Sequence, residues 1–175
     1  HRRHGGRLDH AAQELLTQGK SDRAESLLRH ALVAELKLDG EESENVLRIR
    51  RGLVNACVKQ GKQEEALVLQ AGLISSSEKR YGATSRETAR IMSDASFTFN
   101  EASKSVDGEG YAKKSVALFE TLKLTGTEDY ATALNNLAYR LQAEHKFAEA
   151  ESLLREALET LRTTLPAGHP SIAKA

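Results

Sequence analysis

Residues 130–161, reading YATALNNLAYRLQAEHKFAEAESLLREALETL, carry the clearest hydrophobic pattern in the chain. Apolar side chains recur at helical spacing in two runs, first Ala133, Leu134, Leu137, Ala138 and Leu141, then Phe147, Ala150, Leu153, Leu154, Ala157, Leu158 and Leu161. Each run predicts an amphipathic helix. Between them Gln142-Ala143-Glu144-His145-Lys146 is polar and long enough only for a tight turn, so the two helices form an antiparallel hairpin. Ala138, Ala150 and Ala157 mark where the helices can approach closely, because small side chains let neighbouring ridges interdigitate.

The pattern repeats along the chain. Ala24 in GKSDRAESLLRHAL and Ala66 in GKQEEALVL stand 42 residues apart, and Ala150 in HKFAEAESLLREAL lies another 84 beyond, twice the same period. Gly40, Gly82, Gly126 and Gly168 keep nearly that interval, each where a helix is expected to end. A fixed period of this size predicts stacked supersecondary units. The expected organisation is a flexible N-terminal tail at 1–6, one solenoid over 7–165 with repeats at about 7–40, 41–82, 83–126 and 127–165, and a linker with the truncated start of a further repeat at 166–175. Pro170 suits the first turn of that further helix.

Within repeat one, Ser21 is placed to cap the second helix. Repeat two puts Ile49, Leu53, Val54 and Cys57 on its first helix, and Gly52 and Gly72 inside helices, where close helix contact would explain their cost of about 1 kcal/mol each against alanine. Repeat three keeps Ile91, Met92, Ala95 and Phe99 on a first helix over about 85–102, followed by an enlarged turn at 103–110 and a second helix restarting near Tyr111 with Val116, Leu118, Phe119 and Leu122. The enlarged turn is a candidate contact site, since loops often carry function; a loop that has merely drifted is the plainer reading.

Leu134, Leu137, Ala138, Leu141, Ala150, Leu154 and Ala157 resemble the tetratricopeptide repeat, with its alternation of large and small residues. The phrase ALNNLA followed by AEAESLLREALE is similar to the long-period variant of kinesin light chains. The resemblance implies an all-α fold, a right-handed α-solenoid of about four antiparallel helical hairpins. It also implies a non-catalytic protein-interaction scaffold whose first helices line a concave groove.

Alignment by the 42-residue period then picks out the residues of that groove. Thr132, Asn135, Asn136 and Tyr139 of repeat four correspond to Arg90, Ser93, Asp94 and Phe97 in repeat three and to Arg48, Arg51, Gly52 and Asn55 in repeat two, with Lys59 one turn further on. The candidate peptide-groove set is Arg48, Arg51, Asn55, Lys59, Arg90, Asp94, Phe97, Asn135, Asn136 and Tyr139. Asparagine can pair with the backbone of an extended peptide and arginine can grip a carboxylate with two parallel bonds, so the expected partner is a peptide segment or helix of acidic character. The same residues also fit ordinary solvated positions on a curved helical surface. The chaperone-binding members of the family clamp a C-terminal carboxylate with Lys and Asn residues; only Asn55 and Asn136 match, and that function is not carried over.

Composition narrows the field. The chain is 39% hydrophobic but only 5% aromatic with no Trp, which suits a thin core of Leu and Ala. Basic and acidic residues balance at 25 each, so no nucleic-acid partner is expected, and no apolar run reaches the roughly 18 residues of a spanning helix, so neither is membrane insertion. A single cysteine points to a reducing, intracellular compartment such as the cytoplasm. Gly19-Lys20-Ser21 is similar to the end of a phosphate loop, but Glu14 stands where that pattern needs a glycine. His1 and His4 lack a matching ligand cluster, and Cys57 reads as a core residue; Glu41-Glu42 and Glu64-Glu65 suit helix starts. No cofactor, metal or catalytic residue is expected, and the chain reads as no enzyme. Two alternatives stay open: the docking arm of a larger signalling ATPase or protease, and an architectural subunit of a larger assembly.

Overall fold

A computed structural model describes residues 2–101, 105–166, 169 and 171. Among them the chain is all helical: α1 (Arg2–Thr17), α2 (Ser21–Asp39), α3 (Glu44–Lys59), α4 (Gln63–Tyr81), α5 (Arg86–Glu101), α6 (Ser105–Thr121), α7 (Glu128–Ala143) and α8 (Phe147–Thr164). Consecutive helices pair as the hairpins α1–α2, α3–α4, α5–α6 and α7–α8. They fall into two compact units, His1–Ala83 and Thr84–Ala175, of two hairpins each.

Two kinds of junction alternate, and the sequence shows why. Inside three hairpins the first helix ends on a left-handed residue: Gly19 at φ 74°, Gly61 at 71° and His145 at 62°. Two amides then fold back onto the helix. Lys20 N–H donates to Leu15 O and Gly19 N–H to Leu16 O; Lys62 to Cys57 and Gly61 to Val58, and Lys146 to Leu141 and His145 to Gln142, repeat the arrangement at 2.9–3.2 Å. This double bond pattern satisfies the free carbonyls of the helix end. Between hairpins the next helix is capped by a side chain. Ser43 Oγ accepts from Val46 N–H at 3.1 Å, Ser85 Oγ from Thr88 N–H at 3.1 Å and Thr127 Oγ1 from Tyr130 N–H at 3.3 Å. His169, one period after Thr127, accepts from Ser171 N–H at 3.3 Å through Nδ1.

In the first unit Leu28, Ala31, Ile49 and Leu53 are buried with Ala12, while Leu16, Ala24 and Ala56 form a second cluster. In the second unit Phe119 meets Tyr130 edge-on at 6.3 Å, amid Leu134, Leu137, Ala138, Leu141, Ala150, Ala157 and Leu161. Ala24, Ala66 and Ala150 are at most 1% exposed, which accounts for a small residue at each recurrence.

Several local expectations differ from what is found. The first helix begins at Arg2, so residues 2–6 are helical; Gly5 and Gly6 weaken a helix but no proline stops it. The enlarged turn of repeat three is absent over 105–110, where α6 is already under way and carries Gly108 and Gly110 inside it. Residues 102–104 lie outside the described set. Ser21 is the first residue of α2, preceded by Lys20, which provides no side-chain cap. Gly40 and Gly82 do end α2 and α4, but α6 stops at Thr121 and Lys123, not Gly126, takes the left-handed position at φ 56°. Gly168 lies outside the described residues.

Candidate peptide-binding faces

The first helix of each hairpin turns one stripe inward and leaves another to solvent. On α3 the inward stripe is Val46, Ile49, Leu53, Ala56 and Cys57, and Gly52 joins it: a Cβ there would stand 3.0 Å from Leu28 Cδ1. Close approach of α2 thus explains Gly52. Nothing lies within 4 Å of a Cβ at Gly72, so contact does not explain that glycine. The opposite stripe of α3 carries Arg48, Asn55 and Lys59, with Arg51 half-buried. Arg48 Nη2 donates to Asn45 Oδ1 at 2.5 Å, which aligns the guanidinium along the helix.

In the second unit α5 and α7 pack together, and their polar residues divide between structure and surface. Repeat alignment puts Asn136 on the solvent-facing stripe as a peptide ligand. Instead it is half-buried, and its Nδ2 donates to Ser93 O at 3.1 Å and Ser93 Oγ at 2.9 Å, joining α7 to α5. Ser93, assigned to the same face, is only 3% exposed. Arg90 remains exposed, but its Nε lies 3.3 Å from Asp129 Oδ1, and Arg86 donates twice to Oδ2 of the same carboxylate at 2.9 and 2.6 Å. Much of the cationic character expected of this face is therefore neutralised at the α5–α7 junction. Asp94 is exposed, and Asn135 is half-buried with its Oδ1 unpartnered among the described residues. Phe97 and Tyr139, one period apart, are 47% and 54% exposed.

A polar cluster that the sequence reading misses sits in the first unit. Glu25 on α2 is 7% exposed and accepts from Lys62 Nζ at 2.6 Å, Gln60 Nε2 at 2.7 Å and Arg29 Nε at 2.8 Å. These bonds, Lys62's foremost, outweigh burial and hold the carboxyl at a pKa of about 2. Arg29 also reaches Glu65, and Cys57 Sγ donates to Glu65 Oε2 at 3.8 Å. Burial first, then the nearby carboxylates, pushes the thiol up to about 11, so Cys57 is an inert core residue. Glu25, Cys57 and Glu65 come within 4.8 Å of one another, but Arg29 and Lys62 already neutralise the two carboxylates. The signal lies in the repeated phrases GKSDRAES and QGKQEEA, whose charges read locally only as helix-end complements.

No described helix is long and apolar enough to cross a membrane. No curated protein matches this sequence. Residues 131–171 match the family model described as "Tetratricopeptide repeat". Among solved structures, the kinesin-light-chain TPR-like repeats of Podosopora anserina, nearly identical to one another, share 18% identity over 98% of this chain and 82% of theirs, with a TM-score of 0.79. A point variant of the same repeats shares 17% over 95% and 79%, also at 0.79. BtubC (BKLC) from P. vanneervenii shares 19% over 95% of this chain and 66% of its own, at 0.80. Residues 131–171 thus match one tetratricopeptide repeat, and the chain as a whole is all-α with the fold of kinesin-light-chain-type repeats.

Proposed function

We propose that the solvent-facing stripes of the first helices bind a segment of a partner protein, and that the chain is an interaction scaffold without chemistry of its own. The observation that carries this reading is the pair Phe97 and Tyr139. Two aromatic side chains, each about half exposed, lie one repeat apart on the packed helices α5 and α7. Exposed aromatics of this kind are typical anchors of protein interfaces. Asp94 and Asn135 beside them supply polar contacts for a peptide backbone. On α3, Arg48, Arg51, Asn55 and Lys59 favour an acidic segment; on α5 and α7 the pairing of Arg90 with Asp129 makes the apolar contribution the larger one.

Panning a displayed peptide library on the purified chain tests the reading. Enriched peptides should weaken by about tenfold or more against Phe97→Ala, Tyr139→Ala, the loss expected when interface aromatics are truncated. Peptides that bind this folded double variant as tightly as the parent would remove the aromatic pair from the interface, and with it the principal support for the proposal.

A further inference from the structure

The α3 stripe does not end at Lys59. Beside it the first unit has a cleft of about 310 Å³, lined by Lys20, Asp22, Arg23, Lys59 and Gln60. Its chemistry differs from that of the other cationic clusters. Arg29 and Lys62 are paired with Glu25 or Glu65, and Arg86 and Arg90 with Asp129. Among the described residues no carboxylate pairs with Lys20, Arg23 or Lys59, and Lys20 Nζ donates only to the neutral Gln18 Oε1 at 2.8 Å. Gln60, by contrast, is committed to Glu25 and forms a fixed wall.

We infer that this cleft is an anion subsite that receives an acidic side chain, Asp or Glu, of the partner segment lying along α3. The inference rests on the groove reading above and extends it to Lys20 and Arg23, which neither repeat alignment nor the family pattern assigns. Three cations against the one carboxylate of Asp22 leave a net positive concavity, and a cleft concentrates field more than a convex helix surface does. The spacing fits a single ligand. Arg48 to Lys59 is eleven residues of helix, about 16 Å of rise, which about five residues of extended peptide would span. A segment with acidic residues at both ends of that span would engage Arg48 and Arg51 at one end and the cleft at the other.

The test uses fluorescence anisotropy with fluorescein-labelled hexaglutamate and, as control, its hexaglutamine counterpart. Hexaglutamate should bind in a salt-dependent manner and hexaglutamine should not. Lys20→Gln, Arg23→Gln, both at exposed positions, should weaken hexaglutamate by about fivefold, the scale of two solvent-exposed ion pairs, with helicity unchanged by circular dichroism. Arg48→Gln, Arg51→Gln should weaken it independently. If the second variant loses affinity and the first retains it, the groove stands and the cleft subsite is wrong. If wild type does not distinguish hexaglutamate from hexaglutamine, both the subsite and the acidic preference of α3 fall. Should the Lys20, Arg23 variant lose helicity, Lys59→Gln alone gives the same decision at the cleft.

Discussion

Glu25 and Lys62 meet at 2.6 Å, tying the first unit's second helix to the turn that opens its fourth. The carboxyl's folded value of about 2 lies below its ordinary 4.5, so this contribution to stability is present above pH 4.5 and is lost as pH falls from there toward 2. It should amount to roughly 2 kcal/mol, less than the full shift implies because Lys62 and Arg29 are both more than 40% exposed to solvent and salt. Urea unfolding at stepped pH measures it. The wild type should lose stability across that window more steeply than Glu25→Gln, and matching pH slopes would contradict the assignment.

Gly52 and Gly72 make a contrasting pair. A methyl group at Gly72 meets nothing within 4 Å, so Gly72→Ala should gain most of the helix preference of alanine, about 1 kcal/mol, and raise Tm. At Gly52 the same methyl stands 3.0 and 3.3 Å from the two Leu28 methyls, and Leu28 is fully buried. Gly52→Ala should give no gain, or a loss of about 1 kcal/mol through overpacking. Thermal melts of the two variants side by side decide it; an equal rise in both would mean that α2 moves aside freely.

His145 holds φ at 62°, the position that Gly19 and Gly61 fill in the first two hairpins. A side chain in this left-handed region costs about 1 kcal/mol, so His145→Gly should raise Tm and Gly61→Ala should lower it. The gain at His145 is reduced by loss of its edge-on ring contact with Phe147 at 5.7 Å. Calorimetry on both variants would expose an error if the two shifts had the same sign.

Asn136 joins α7 to α5 within the second unit, a position that predicts an effect on stability rather than on binding. Asn136→Ala removes two bonds to Ser93 and leaves a buried hydroxyl less well satisfied, a loss of about 1–2 kcal/mol. Under conditions where the variant remains folded, affinity for any peptide selected on the wild type should change by less than twofold, a scale of about 0.4 kcal/mol. Chemical denaturation together with a binding titration separates the two roles. A large loss of affinity with stability intact would return Asn136 to the interface.

The periodic part of this protein is written in its sequence. Helical spacing of Leu and Ala specifies helices, and the recurrence of Gly-Lys or His-Lys places the turns inside three hairpins, because those signals are local and act within a few residues. Ala24, Ala66 and Ala150 are legible as contact points for the same reason: small size at a fixed period has one simple use. The start of α6 at Ser105 is not, since two glycines in 103–110 argue locally for a loop and packing against α5 and α7 overrides that preference. Nor is the division of polar residues. Periodicity puts Ser93, Arg90 and Asn136 on an apparent solvent face, but which of them finds a partner depends on a helix about 43 residues away. Tertiary structure alone turns Asn136 toward Ser93 and Arg90 toward Asp129, leaves Phe97 and Tyr139 outside, and gathers Lys20, Arg23 and Lys59 around one cleft, because a hydrogen bond or an ion pair is set by distance in space.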